Sequence, residues 1–498
     1  MEEVLRSLSL FQPELALTIG LLLVVLVDAA GGRLRDAVVR VLTAVSLAAA
    51  LALSIDQLGV AASTSFSGML AVDPLGAFFK AVLVGASLLI VLAFGFGSSR
   101  ELRGLGQGEF YALLLAVTLS TLLLASANDI TMLYLALEMV SITSYVMVAY
   151  MKGDRMSNEA SLKYVLFGAF STGAMVYGLS LLYGFTGASS FEGIRQAVTG
   201  PLPGQARFTV FVVALLVFAG FGFKTAAVPF HFWCPDVYQG APTPVTAYLS
   251  VAPKAAGFAV MLRFFFGGYS SSGGAAWDLQ GVVEWPQLLM IISVATMTVG
   301  NVAALTQTNM KRLLAYSSIA HAGYIMIGVV ALSAEGVRAL MVYIVAYLVM
   351  NLGAFLVVTL VHNHEDTFDL RDYPGLYRRA PLLTLAMAVF LLSLMGIPPL
   401  VGFMGKLFVF GAIIDRGPAY WWYAVAGALN AAVAAYYYAR VLKTMVMDEG
   451  DEEKPAIALP LGDRVWLTAF TLANLAPLFA WPLIEAWTRS SLVFWAGR

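Results

Sequence analysis

The sequence predicts an all-α integral membrane protein of about fourteen transmembrane helices. Hydrophobic residues make up 60% of its 498 positions and charged residues only 12%, about half the roughly 25% usual in soluble domains. Mean hydropathy is +0.82. Apolar windows about 20 residues long, the length that crosses a bilayer, recur along the whole chain, with most charges confined to the segments between them. No water-soluble globule of this size has enough interior to hide so much apolar surface, which excludes a soluble enzyme. A net charge of -1 offers nothing to attract nucleic acid.

In order, the spans fall near 11–30, 38–55, 73–96, 109–126, 129–150, 160–185, 208–230, 242–262, 286–304, 313–332, 339–361, 381–414, 420–439 and 465–487. The first has the look of a signal peptide, but Glu2 and Glu3 spoil the basic leader and the apolar run is long, so it is expected to be retained. Odd-numbered connections carry sixteen basic residues: Arg33, Arg35, Arg40, Arg100, Arg103, Lys152, Arg155, Lys311, Arg312, Arg371, Arg378, Arg379, Arg440, Lys443, Lys454 and Arg464. Even connections and both tails carry eight: Arg6, Arg195, Arg207, Arg263, Arg338, Arg416, Arg489 and Arg498. The positive-inside rule therefore puts the odd connections in the cytoplasm and both termini opposite. Asp448 to Lys454 is a charged linker before the last span.

Five basic residues remain, all lysines in or at the ends of spans: Lys80, Lys163, Lys224, Lys254 and Lys406. A charge at mid-bilayer costs about 2.5 to 3.5 kcal/mol on insertion scales, so each needs a reason. Lys80 lies near the start of span 3 and is expected to snorkel to the interface. Lys163 opens span 6 and fits either an anchor or a site. Lys224, Lys254 and Lys406 are deeper and point to ion movement, with structural ion pairing as the plainer alternative.

Three spans carry polar stripes at helical spacing: Thr131, Tyr134, Glu138, Ser141 and Tyr145 on span 5; Thr246, Ser250 and Lys254 on span 8; Ser317, His321 and Tyr324 on span 10. Such faces are expected to turn away from lipid, meet inside the bundle and hold water. Pro229 follows Lys224 by five residues, while Gly396, Pro398, Pro399, Gly402 and Gly405 precede Lys406. Proline removes an intrahelical hydrogen bond, so spans 7 and 12 are expected to be broken helices. These spans lie five helices apart, which makes spans 4–8 and 9–13 two copies of one unit. Five is odd, so the second copy is inverted. The expected divisions are a three-helix segment (1–108), a first half-channel repeat (109–264), an inverted second (265–445), and a linker with a C-terminal helix (446–498).

The single cysteine, Cys234, forms no intrachain disulfide and ligates no cluster alone, and the four histidines show no haem motif; no cofactor is expected in the chain. GFGFKT (220–225) lacks the Gly-Lys-Ser/Thr of a phosphate loop. GLGQG (104–108) lies in a charged turn. His362 and His364 sit among acidic residues, where a solvated loop is the plainer reading than a metal site.

The runs PFHFWCPDVYQGAPTPVTAYLSVAPKAAGF (229–258), NMKRLLAYSSIAHAGY (309–324), SLKYVLFGAFSTG (161–173) and GIPPLVGFMGKLFVF (396–410) resemble the subunit N family of the proton-pumping NADH-quinone oxidoreductase, respiratory complex I, within the antiporter-like superfamily. Lysine at 406 is similar to subunits N and L rather than M, and the span number and 161–173 favour N. The resemblance implies that Glu138 and Lys224 are the ion pair of the first half-channel, Lys254 the central lysine and Lys406 the distal lysine of the second. Lys163, His231, Tyr316 and His321 match positions that modulate pumping or connect the lysines. It also implies a multi-pass subunit of the bacterial cytoplasmic membrane without a cofactor of its own, its FMN, iron-sulfur clusters and quinone being held by partner subunits, among them further antiporter-like subunits. Gln239, where the family pattern has glutamate, and Cys234 depart from it. An Mrp-type cation/proton antiporter subunit and the homologous subunit of a photosynthetic plastoquinone-reducing complex are the alternatives, and a passive scaffold is the plainest.

Overall fold

The structure, a computed structural model, describes residues 2–32, 34–95, 99–199, 203–272, 277–278, 285–451 and 454–492. Arg33, Arg498 and the predicted end of span 3 at residue 96 lie outside the described residues. The helices run in the order α1 (Glu2–Leu10), α2 (Gln12–Ala30), α3 (Arg35–Asp56), α4 (Pro74–Ala93), α5 (Gln107–Ser126), α6 (Ile130–Val148) and α7 (Arg155–Thr186). They continue with α8 (Phe191–Val198), α9 (Gly204–Thr225), α10 (Trp233–Gly240), α11 (Thr243–Leu262), α12 (Trp285–Ala304), α13 (Met310–Val330) and α14 (Ala334–Glu365). The last are α15 (Leu376–Arg379), α16 (Pro381–Met395), α17 (Val401–Ile414), α18 (Trp421–Val446), α19 (Leu461–Asn474) and α20 (Trp481–Ser490). A short hairpin, β1 (Ser63–Ser65) with β2 (Leu70–Val72), joins α3 to α4.

Among the described residues, eleven helices are long and apolar enough to cross a membrane: α2 to α7, α9, and α11 to α14. They coincide with the first eleven spans read from sequence, and they make the chain an integral membrane protein. Starts are set by local chemistry: Asp73, Asp129, Asp154 and Asn309 each accept a backbone N–H of the first turn of the helix that follows. The twelfth predicted span is two shorter apolar helices, α16 and α17. The predicted single span 465–487 is not one helix; α19 and α20 are separated by a turn at Ala476–Leu478, where Pro477 and Pro482 cannot donate to a continuing ladder.

Burial is graded from rim to centre. Every residue of α11 from Thr243 to Leu262 is buried, whereas α2 and α3 expose Ile19, Leu22, Leu26, Val41 and Val45, as an outer, lipid-facing pair must. α13 and α14 pack on α11 and are also mostly buried. The odd-numbered connections gather at one face: Arg100 pairs with Asp366 at 3.7 Å, Asn309 bridges Asp369, and Lys454 reaches Glu365 at 2.9 Å. Glu365, one of the acidic neighbours of His362 and His364, is thus held by Lys454 and by Arg379.

Three basic residues lie elsewhere than expected. Lys80 does not snorkel; it is buried in an ion pair with Glu14 at 2.8 Å and donates to Gln57 Oε1 at 3.1 Å. Arg263, assigned to a connection, is buried and forks onto Asp73 at 2.9 and 2.7 Å, tying the α11 end to the start of α4. Lys311, counted as a loop charge, is also buried, in the first turn of α13. Each exception has a buried carboxylate facing it, which is the condition for burying a cation in hydrocarbon.

Candidate buried proton path

α9 ends immediately after Lys224, and the chain resumes as helix only at Trp233. The freed groups are taken up locally. Ala227 N–H donates to Gly222 O at 2.8 Å, the Trp233 indole donates to Phe223 O at 3.1 Å, and Val228 N–H donates to Thr296 Oγ1 at 3.0 Å. Ala226 takes the left-handed conformation, φ 58°, that closes a helix end. Pro229 lies within this break, as does His231, which is buried with Nδ1 unbonded. Lys224 is buried too, and among the described residues its Nζ makes no hydrogen bond. The carboxylate whose charge acts on it is Glu138 of α6.

The α6 stripe is only partly enclosed. Ser141 is buried, Glu138 and Tyr145 are half-buried, and Thr131 is exposed. The expectation that this whole stripe turns inward therefore holds for its Ser141 side and not for Thr131. Leu135, Met139 and Ile142 beside it are exposed as well, so Glu138 stands near the lateral edge of the bundle.

Lys254 lies deep in α11, 4% exposed. Its Nζ donates to Ser318 Oγ at 2.5 Å and Ser318 O at 3.2 Å on α13. Beside it is a cavity of about 10 Å³ lined by Ser318, Phe258, Ala322 and Tyr347 among others, near the smallest space that holds one water. One turn above, Ser250 accepts from Asn351 Nδ2 of α14 at 2.6 Å.

His321, one turn beyond Ser318, is the junction. Its Nδ1 meets Tyr343 Oη at 3.0 Å and its Nε2 meets Tyr438 Oη at 3.3 Å. Tyr438 Oη is in turn 2.5 Å from Ser317 Oγ. The charges of both Lys406 and Lys254 act on this imidazole. Next along α13, Tyr324 accepts from Asn301 Nδ2 at 3.2 Å and presents its ring face to Lys406 Nζ at 4.9 Å.

Lys406 belongs to α17, after the second break. Gly396, φ 92°, ends α16, and Pro398 and Pro399 carry the chain to α17. Gly402 approaches Ser393 so closely that any Cβ would collide with its carbonyl oxygen. This contact lets Lys406 reach back across the break. Its Nζ donates to Leu394 O at 3.0 Å and Met395 O at 2.8 Å, the carbonyls that the break leaves without N–H partners. The ammonium thus sits at the negative end of the α16 dipole.

Two further candidates lie off this line. Lys163 is 38% exposed in its side chain and pairs with Asp236 at 2.8 Å and Glu159 at 2.9 Å. Asp236 also binds Arg312 at 2.5 Å, which bonds Gln239 at 3.1 Å and covers the ring of Tyr316. Lys163, Tyr316 and Gln239 therefore belong to one charged cluster at the face of the odd connections. Three residues of the path escaped the sequence reading: Ser318, Tyr343 and Tyr438. Tyr343, Tyr347 and Asn351 recur at helical spacing within the apolar span 339–361, a stripe of the same kind as the three recognised.

The geometry gathers buried amines on α9, α11 and α17, with hydroxyls, an imidazole and peptide carbonyls near the latter two. Residues 127–432 match the NADH:quinone oxidoreductase/Mrp antiporter transmembrane family. The chain is 44% identical over 515 aligned positions to the NADH-quinone oxidoreductase subunit N of Anaeromyxobacter sp. strain Fw109-5, covering 100% of this chain and 98% of the relative. It is 40% identical to the subunit N of Chlorobium chlorochromatii, covering 95% and 93%. Among solved structures it superposes on a chain of respiratory complex I from Thermus thermophilus with bound aureothin, with TM-score 0.77, 32% identity, and 94% and 98% coverage. The chain belongs to the NADH-quinone oxidoreductase subunit N family.

Proposed function

We propose that this chain is the proton-translocating subunit N of a bacterial NADH-quinone oxidoreductase, moving protons through the membrane while NADH oxidation and quinone reduction proceed in partner subunits. The observation that carries the reading is the burial of Lys254, His321 and Lys406 in one core, each against hydroxyls, peptide carbonyls or an aromatic face. In this reading Lys224, charged while its pair with Glu138 is closed, yields its proton when the pair opens; Lys254 receives it, and His321 with its tyrosines passes it toward Lys406. An ion pair at 4 Å and an effective dielectric near 20 is worth about 4 kcal/mol. Moving one charge against 100 mV costs about 2.3 kcal/mol, so one such pair is of the right size to drive one proton.

Fourteen spans result if α9 with α10, α16 with α17, and α19 with α20 each make one interrupted span and α18 also crosses. The repeats are then α5 to α11 and α12 to α18, with boundaries near 109, 265 and 446. Lys224 precedes its break whereas Lys406 follows its own. The excess of basic residues places the odd connections in the cytoplasm of a bacterial inner membrane. Half-burial of Glu138 beside exposed Leu135, Met139 and Ile142 suits a neighbouring membrane subunit against α6. FMN, iron-sulfur clusters and quinone belong to the partners.

The test is NADH-driven acidification of inverted vesicles carrying Lys254→Met in the assembled complex. Loss of acidification supports the reading; unchanged acidification removes it. Sodium-driven transport by the isolated chain would instead favour an Mrp-type antiporter, a group named in the same family description.

A further inference from the structure

At the face of the odd connections lies a buried charged group that the relay does not use. Lys311 Nζ is 3.6 Å from Glu101 Oε1, and both side chains are at least nine-tenths buried. Glu101 Oε2 accepts the backbone N–H of Thr243, the first residue of α11, at 2.8 Å. Lys311 Nζ also donates to Ala241 O at 2.6 Å and lies over the Phe368 ring at 4.5 Å. His362 stacks on that same ring, 4.0 Å between centroids. The remaining charges acting here are those of Asp154 on Lys311 and Asp366 on His362.

This group is joined to the central lysine by chemistry along one helix. Thr246 Oγ1, which donates to Tyr238 O at 3.1 Å, also lies 3.4 Å from Ala241 O, the carbonyl that holds Lys311. Thr246, Ser250 and Lys254 then succeed one another at four-residue steps on α11, all buried. One turn is about 5.4 Å, longer than a hydrogen bond and about the span of one bridging water. Two buried polar atoms beside this stripe, Thr243 Oγ1 and Asn351 Oδ1, have no hydrogen-bond partner among the described residues, and such atoms are ordinarily satisfied by buried water. The stripe is thus polar from the odd face to Lys254 along one side of α11.

We propose that Glu101 is a proton-uptake residue, positioned by Lys311, that feeds Lys254 from the odd-connection face along Thr246 and Ser250. This rests on the reading of Lys254 as a proton carrier. In one transfer the Glu101 carboxylate takes a proton from water at the face; the carboxylic acid gives it to a chain of waters along α11; and the neutral amine of Lys254 becomes an ammonium. No bond other than O–H and N–H is made or broken.

The experiment compares Glu101→Gln, Glu101→Asp, Thr246→Val and Lys254→Met in the assembled complex, reading NADH-driven acidification of inverted vesicles from pH 6 to 8. Glutamine keeps the acceptor for Thr243 N–H but cannot carry a proton. The expected result is a loss of about tenfold in pumping for Glu101→Gln, substantial rescue by Glu101→Asp, and a loss of at least threefold for Thr246→Val, with changed dependence on pH in the glutamine variant. Wild-type pumping by Glu101→Gln while Lys254→Met is dead overturns the proposal alone. Wild-type pumping by Lys254→Met overturns the reading beneath it. Should Glu101→Gln fail to assemble, Thr246→Val decides: full pumping there is equally fatal to the uptake path.

Discussion

Lys406 caps the helix half that its own sequence neighbourhood breaks: its ammonium takes the Met395 carbonyl at 2.8 Å and the Leu394 carbonyl at 3.0 Å. Lys224, beside the other break, has no such carbonyls, because Trp233, Ala226 and Ala227 occupy those of Phe223 and Gly222. One amine is therefore solvated by backbone, and the other has the Phe223 ring at 5.5 Å and the charge of Glu138. The two ends of the path are built differently, and they should respond differently to substitution.

At Lys406, removal and replacement separate. Lys406→Met leaves two buried carbonyls unpaired, at about 1–3 kcal/mol each, so it should lower the thermal midpoint of the purified complex as well as abolish pumping. Lys406→Arg keeps a donor but holds its proton at every working pH. The arginine variant should retain assembly while NADH-driven acidification falls about tenfold or more. Pumping at the wild-type rate in the arginine variant would show that this position need not release a proton.

At the first break, Lys224→Met removes a buried amine that has no hydrogen bond to lose. It is expected to cost little stability and to reduce proton movement sharply. Glu138→Gln should slow pumping by at least about tenfold, if closing the pair is worth a few kcal/mol, since 1.4 kcal/mol is one decade. Vesicle acidification with quinone reduction assayed in parallel distinguishes a transport defect from a failed complex; intact pumping in both variants would remove the pair from the mechanism.

The two breaks and three deep lysines were legible because hydrocarbon makes proline and charge conspicuous. Burial that is repaired by a distant partner was not. Lys80 reads as a snorkelling anchor because Glu14 lies 66 positions away in another helix, and Lys311 reads as a loop charge because Glu101 lies in a connection. The Glu138 stripe has the spacing of an inward face, yet spacing says nothing of which side another subunit covers. Tyr343 and Tyr438 were hidden for a different reason: aromatic residues in apolar spans are usually core, and only their convergence on His321 marks them as polar partners.

That convergence gives a graded prediction. Tyr438→Phe removes one bond to the imidazole and the bond to Ser317 while preserving ring packing, and Tyr343→Phe removes the other. Each should reduce pumping partially, by about threefold to tenfold at roughly 1 kcal/mol per neutral hydrogen bond. The double variant, leaving His321 with no oriented hydroxyl, should approach the loss in His321→Leu. Additive small effects in all three, read as initial acidification rates, would mean that protons bypass the imidazole.

The Lys80 pair tests structure rather than transport. Glu14 and Lys80 are almost fully buried, and Gln57 Nε2 extends the group to Leu10 O at 2.7 Å. Breaking a buried pair by removing one partner typically costs about 3–5 kcal/mol, because an uncompensated charge remains, whereas removing both is often nearly neutral. Lys80→Met should therefore destabilise the packing of α2 and α3 on α4 and reduce the amount of assembled complex. Glu14→Gln with Lys80→Met should restore assembly to near the wild-type level, with pumping per complex unchanged. A double variant that assembles yet pumps poorly would instead draw this pair into the proton path, which its position in the outer three-helix segment, remote in sequence from Lys224, Lys254 and Lys406, argues against.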